Sequence, residues 1–443
     1  MLVSYINKLN QRIKQDKYFE ELIKGASTAF ILKILGIISG YAFTLLVTRT
    51  LGAEAWGIFT LSLVVLQVGS IFGKLGTDIA ILRFTAEYVA KGDINALKNI
   101  YKKILILVIP TSLLVSIIIF FTSPILATKI FHKAYLTSYF KLIAFVIIFF
   151  VLFAIHIEAI RGLGKIKEYM ILHQIMIYLF SIICYFAFLK IFNKYKFLPL
   201  ISYSISVVSL AIFSIHLWFN FLKKIYKKEK LKTLSNPRIK NILIILFPIF
   251  SSNLLSLVMG WMDTIMLGIF KSSQEVGIYN VVFKLSLIIS FPLVAINAIV
   301  APKFAELFGN KNFKELKKVF EISRKIASIF SLPILIFFLI FSKFLLGYFG
   351  DEFIKGNTAL VILIISQFMN VYVGSVGYML QMTGAQHIFQ NILLLSVVIN
   401  FIIGYNIIPE FGINGAALSS AISTILWNIL GYIYIKKKIF KEN

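Results

Sequence analysis

Charge is scarce in this chain. Only 14% of its 443 residues are Asp, Glu, Lys or Arg, and 59% are apolar. A soluble domain of that length needs far more charge to coat its surface. Acidic residues are scarcer still, 19 against 45 Lys and Arg, for a formal net charge of +26. In a soluble protein such an excess would point to nucleic acid. Here the basic residues sit between apolar blocks, so it points to membrane orientation, and no nucleic-acid partner is expected. The one cysteine, Cys184, lies inside an apolar block, cannot form an internal disulfide and reads as a buried thiol. Neither a Gly-x4-Gly-Lys-Ser/Thr phosphate loop nor a His-Glu-x-x-His pair is present. The five histidines, His132, His156, His173, His216 and His387, lie far apart without ligand spacing. No metal, cofactor or enzymatic activity is expected.

What the sequence has instead is long apolar runs. Twelve blocks, here numbered spans 1 to 12, occupy residues 26–48, 55–75, 104–122, 139–160, 170–192, 197–222, 241–262, 276–300, 326–341, 357–380, 388–408 and 412–435. A helix needs about 20 residues to cross a hydrocarbon core of about 30 Å. The expectation is therefore an all-α integral membrane protein of about twelve spans. The first block is too long for a cleavable signal and reads as a retained span. Residues 1–25 mix Ile6, Leu9 and Ile13 with Lys8, Arg12 and Lys14, the pattern of a short helix on an anionic membrane surface.

Alternate connections carry very different basic loads. Of the 45 Lys and Arg, 32 fall on the side of the N-terminus and 9 on the other, while Lys33, Lys74, Lys141 and Lys284 lie within spans or at their edges. These are the basic side and the sparse side. The positive-inside rule makes the basic side, with both termini, cytoplasmic, in the cell membrane. An even number of spans agrees with it.

The chain also repeats. Shifted by 220 residues, Gly57-Ile58-Phe59 falls on Gly277-Ile278-Tyr279, Arg83-Phe84 on Lys303-Phe304, and Gly164 on Gly384. The basic stretch 223–240 separates two sets of six spans, so 26–222 and 241–435 are expected to form two pseudo-symmetric six-helix lobes, followed by a basic tail, 436–443. An even number of spans per repeat gives both lobes one orientation, related by an axis along the membrane normal.

Charges within spans are the candidate chemistry, because burying them in lipid costs several kcal/mol. Lys33 in span 1 and Lys284 in span 8 are the candidate cavity cations, and a cationic cavity suits an anionic diphosphate head group. Asp263 is read as capping the outer end of span 7. Lys74 and Asp78 sit at the inner end of span 2, and Glu158 and Arg161 at that of span 4, where they snorkel or pair. Gln67, Asn253, Asn297, Gln367 and Asn370 either meet hydroxyl-rich ligands or bind helix to helix.

The segment Leu51-Gly52-Ala53-Glu54-Ala55-Trp56-Gly57-Ile58-Phe59, then Gly76-Thr77-Asp78, Arg83-Phe84, Glu87-Tyr88 and Gly92-Asp93, resembles the polysaccharide biosynthesis, or oligosaccharide flippase, family. In the second half, Asp263-Thr264-Ile265-Met266-Leu267-Gly268, Val276-Gly277-Ile278-Tyr279-Asn280 and Phe283-Lys284-Leu285 resemble the matching segment. The superfamily also includes multidrug exporters and peptidoglycan-precursor flippases. The resemblance implies a MATE-like fold of two six-helix lobes around a central cavity, working by alternating access. It implies a polyprenyl-diphosphate-linked oligosaccharide as substrate, among membrane lipids. The membrane potential, H⁺ and Na⁺ are the candidate energy sources for the cycle. Lys33 and Lys284 would attract the diphosphate. Asp263 would pair with a cation at the outer gate, near Arg49. An ion-coupled multidrug or metabolite antiporter, and a non-transporting scaffold for glycan-assembly enzymes, are the alternatives.

Overall fold

The computed structural model describes residues 17–192, 195–226 and 239–440. Among the described residues there is no strand, and ten helical stretches are long and apolar enough to cross a membrane. Lipid offers the backbone no hydrogen bonds, so a spanning chain must make its own, as a helix does. Two stretches, Phe30–Lys74 and Gln386–Ile439, hold 45 and 54 residues. A straight helix of the shorter length would measure about 68 Å, more than twice the hydrocarbon core. Each is broken by one glycine with positive φ, Gly52 (φ 80°, ψ −178°) and Gly412 (φ 52°, ψ −125°). Only glycine adopts such angles at little cost. Each stretch is thus two spans joined at a turn, and the ten become the twelve read from the sequence.

The remaining spans follow in order: span 3 in Ile94–Ile125, span 4 in Leu136–Gly162, span 5 in Ile166–Ile191 and span 6 in Leu198–Tyr226. Span 7 is Ile239–Phe270, span 8 lies in Ser273–Gly309, span 9 in Phe313–Gly347 and span 10 in Asp351–Met382. A separate helix, Thr77–Ala90, links spans 2 and 3 on the basic side. Several helices overrun their apolar blocks because capping, not hydropathy, ends them. Asn312 accepts from the Glu315 N–H at 3.2 Å and starts span 9 well before its apolar block. Asp93 does the same for span 3, accepting from the Ala96 N–H at 2.9 Å.

Three expectations at the ends and the middle change or pass out of view. From Lys17 the chain is already in the helix that becomes span 1, so residues 17–25 are no separate surface helix; residues 1–16 lie outside the described residues. Of the linker 223–240, residues 227–238 also lie outside them. The tail does not simply leave the bundle. Ile435 and Ile439 are buried, and Phe440 packs on the Phe320 ring at 5.8 Å.

The repeat survives in three dimensions. Gly164 and Gly384, 220 residues apart, hold nearly the same left-handed angle, φ 75° and 78°. A Cβ placed on Gly57 would strike the Ser273 carbonyl, and one placed on Gly277 would strike the Ala53 carbonyl. Positions 53 and 57 are the 220-residue mates of 273 and 277. The contact is therefore its own symmetry mate, as at a two-fold interface. Spans 2 and 8 touch backbone to backbone here, so the pseudo-axis runs between Gly57 and Gly277.

A side chain at this seam has nowhere to go, because the obstructing atoms are backbone. Gly57→Val should part spans 2 and 8 at an overpacking cost of about 1–3 kcal/mol. In a Cys184→Ser, Ser273→Cys background, maleimide labelling at position 273, buried in the seam, should rise. Gly260→Val, where a Cβ meets nothing within 4 Å, should leave labelling at the starting level. Equal labelling in both variants would contradict the closed seam.

Candidate functional site

A cavity of about 400 Å³ opens between spans 1, 5 and 8. Span 1 lines it with Phe30, Lys33, Ile34, Ile37 and Tyr41, span 5 with Gln174 and Tyr178, and span 8 with Lys284, Leu287, Ser290, Phe291 and Val294. Both candidate cations read from the sequence thus meet on one cavity, although 251 positions separate them. Counted from the sparse-side ends Gly52 and Ser273, Lys33 lies about 28 Å and Lys284 about 16 Å along their helices. Lys33 stands exposed at the basic mouth, and Lys284 lies near mid-depth.

Lys284 is held by the other half of the molecule. Its ammonium donates to Thr44 Oγ1 at 3.2 Å and sits 4.5 Å from the centre of the Trp56 ring. A desolvated cation on a Trp face is stabilised by about 2 kcal/mol. The ring is fixed in turn, since Trp56 Nε1 donates to Asn280 Oδ1 at 3.0 Å. Tyr41 Oη donates to the Lys284 carbonyl at 2.6 Å. Among the described residues neither Lys33 nor Lys284 has a carboxylate within ion-pair distance.

The facing wall is shaped by close helix packing. A Cβ on Gly36 would lie 2.5 Å from Gln174 Cβ, and one on Gly40 would lie 3.3 Å from the Tyr178 ring. This small-xxx-small pair draws span 5 against span 1. A π-helical turn, Ile171–Met176, carries Gln174 onto the cavity wall, a distortion frequent at functional sites. Gln174 was not among the polar residues singled out from the sequence, although a Gln inside the apolar block of span 5 is the signal that could have found it.

The other candidate residues divide into two groups. Lys74 and Asp78 pair at 2.9 Å across the bend that joins span 2 to the helix Thr77–Ala90, and Arg161 and Glu158 pair at 3.3 Å within span 4, both at the basic end. These are local pairs of residues close in sequence. Arg49 acts across the halves, its Nε donating to the Tyr348 carbonyl. Beside it, the Ala53 N–H donates to Glu352 Oε1, while Glu352 Oε2 accepts from Gln274 Nε2 at 2.6 Å. Glu352 thus latches span 2 to the sparse end of span 8. Nothing in the sequence marked it, because a lone Glu in a loop has no pattern. Gln367 accepts from Ser290 Oγ at 2.7 Å, a tie between spans 8 and 10.

Asp263 corrects its reading. It does not cap span 7, because the apolar run Thr264 to Phe270 carries the helix onward. It is buried, and its partners are neutral: Tyr279 Oη at 3.2 Å and Ser419 Oγ at 3.3 Å, with Ser420 and Asn400 also within hydrogen-bonding reach. No cation pairs with it among the described residues. Asn400 Oδ1 is buried beside it without a partner. Spans 7, 8, 11 and 12 therefore enclose a carboxylate in a nest of oxygen atoms.

Two helical lobes meeting at a pseudo-two-fold seam, with a cationic cavity beneath it, define a polytopic membrane protein of the MATE-like exporter fold. The chain belongs to the polysaccharide biosynthesis protein family, whose model matches residues 22–308. The MatE model matches residues 248–406. The chain is 25% identical over 177 residues to the probable low-salt glycan biosynthesis flippase Agl15 of Haloferax volcanii, covering 40% of this chain and 38% of that relative. It is 23% identical over 432 residues to the membrane protein MJ1068 of Methanocaldococcus jannaschii, covering 93% of this chain and 83% of that one. A structure of the lipid II flippase MurJ in an inward closed conformation superposes with a TM-score of 0.69 at 15% identity, over 94% of this chain and 89% of that one. At that identity the likeness concerns the fold.

Removing the Glu352 carboxylate leaves the Ala53 N–H and the Gln274 amide without their partner, at about 1–3 kcal/mol. In the same Ser273→Cys background, Glu352→Ala should raise maleimide labelling, roughly tenfold for each 1.4 kcal/mol transferred to the open state. Glu352→Gln retains one acceptor and should fall between the two. Labelling unchanged in both variants would remove Glu352 from the closure.

Proposed function

We propose that the protein is a flippase that carries a polyprenyl-diphosphate-linked oligosaccharide from the cytoplasmic to the outer leaflet of the cell membrane. The observation that carries this reading is the placement of Lys33 and Lys284 on one cavity without a carboxylate partner. Two unneutralised ammonium groups, one at the mouth and one at mid-depth, give a diphosphate successive electrostatic stations. The apolar residues beside them, Phe30, Ile34, Leu287 and Phe291, suit a lipid tail that stays in the bilayer while the head group enters. Membership of the polysaccharide biosynthesis family and similarity to Agl15 support the same substrate class.

The cycle follows from the seam. With spans 2 and 8 closed on the sparse side, the cavity receives the head group from the basic, cytoplasmic half. Parting of the seam and closure of the basic half deliver it to the outer leaflet. Alternating access of this kind needs an energy source, and one charge crossing 100 mV yields about 2.3 kcal/mol. The nest around Asp263 is the candidate seat for the coupling ion. A carboxylate with hydroxyl and amide oxygens takes up either H⁺ or Na⁺.

An ion-coupled multidrug or metabolite antiporter of the same fold is the second reading, favoured by the burial of Asp263 and by the match to the MatE model. Lys284 weighs against it for cationic compounds, which it would repel. A scaffold without transport predicts that the cavity charges are dispensable.

Flipping of a fluorescent polyprenyl-diphosphate oligosaccharide in vesicles containing the purified protein, read by an outside quencher, separates these readings. The Lys33→Gln, Lys284→Gln double variant should insert normally and lose flipping. Asp263→Asn should keep basal exchange and lose its response to an imposed H⁺ or Na⁺ gradient. Normal flipping by the lysine double variant would overturn the site. Efflux of cationic compounds with no flipping would favour the antiporter.

A further inference from the structure

A second cavity, of about 350 Å³, lies on the sparse side, within the second half of the chain. It is bounded by the start of span 8, the loop before span 10 and the turn between spans 11 and 12. Glu275 and Lys355 both line it. Neither has an ion-pair partner among the described residues, and they do not pair with each other. The Glu275 carboxylate lies against the Gly412 turn, and Lys355 lines the same cavity from the loop before span 10. Asn414 also lines it, with a buried Oδ1 that has no hydrogen-bond partner. An orphaned buried acceptor is met by an ordered water or by a group supplied from outside the chain. At the rim stands Phe411, 59% exposed.

The chemistry of this set is selective. A metal ion is disfavoured by the Lys355 ammonium on the same wall, and a phosphate by the Glu275 carboxylate. A neutral ring rich in hydroxyls offends neither. Its O–H groups donate to Glu275 and Asn414 Oδ1, and its oxygens accept from Lys355. The apolar C–H patch on the face of such a ring needs a flat apolar partner, which the open Phe411 ring supplies. We infer that this pocket binds a sugar unit of the transported glycan on the outer side of the membrane.

The inference rests on the flippase reading and adds a subsite to it. Gln274 joins the pocket to the seam, since its side chain lines the pocket while its Nε2 donates to the Glu352 latch at 2.6 Å. A glycan emerging between spans 2 and 8 meets this pocket as the latch gives way. A sugar hydroxyl that competes for the Gln274 amide favours the open seam.

The test uses the full-length protein in nanodiscs and a panel of free hexoses and N-acetylhexosamines. Saturation-transfer NMR should show transfer onto the ring C–H protons of at least one sugar. Phe411→Ala should weaken that binding about tenfold, the equivalent of 1.4 kcal/mol, and Phe411→Trp should retain it. Phe411 is exposed, so its loss leaves the packed core alone, and Lys355→Met, also at an exposed position, is an independent second variant expected to weaken binding. Absence of transfer from every sugar, or transfer unchanged in both weakening variants, overturns the pocket. Flipping of glycan-bearing and bare polyprenyl diphosphate by the same preparations keeps the two ideas apart. Sugar transfer without flipping of either lipid preserves the pocket and sinks the flippase reading; flipping without sugar transfer does the reverse.

Discussion

At Gly57 and Gly277 the two halves of the chain meet with no side chain between them. Each glycine lies against the other half's backbone, so the closeness of this approach sets how spans 2 and 8 cross and where the pseudo-axis runs. Other features take their places from that crossing. Trp56 is brought over Lys284, Asn280 under Trp56, and Glu352 onto the turn at Gly52. The cavity lies below the seam, on the basic half, because the seam occupies the sparse half.

A symmetric scaffold here carries asymmetric chemistry. The 220-residue mate of Lys284 is Val64, that of Lys33 is Asn253, and that of Asp263 is Phe43. Phe43 is fully buried among Trp56, Phe59 and Tyr185, with ring centroids 6.2, 5.6 and 6.4 Å away. Where the first half packs an aromatic core, the second half encloses a carboxylate among hydroxyls. Duplication accounts for the frame, and departures from the duplication mark the sites. A buried charge costs several kcal/mol in such surroundings, so its presence in one half alone argues for use rather than for stability.

Much of the fold was legible before any coordinates. Span number follows from hydropathy because lipid is a one-dimensional filter, and a run of about 20 apolar residues suffices to be read. The joining of ten long helical stretches into twelve spans turns on two glycines, and Gly52 stood within a recognisable motif. Lys33 and Lys284 were legible for the same reason, as charges that interrupt apolar runs. That they share one cavity was not, since spans 1 and 8 are distant in sequence. Asp263 was misplaced at a helix end because a charge beside an apolar block looks like its boundary. Only the packing of spans 7, 8, 11 and 12 around it makes it interior.

Composition and pattern by themselves determined that this is an all-helical membrane protein, built twice over, with its basic loops on one side and cations inside its spans. These are local properties, set by the transfer of each segment between water and lipid. The tertiary structure decided which cations share a cavity, which glycines form the seam, which glutamate latches it, and which carboxylate is buried. Those are properties of contacts between residues hundreds of positions apart, and no local free energy encodes them.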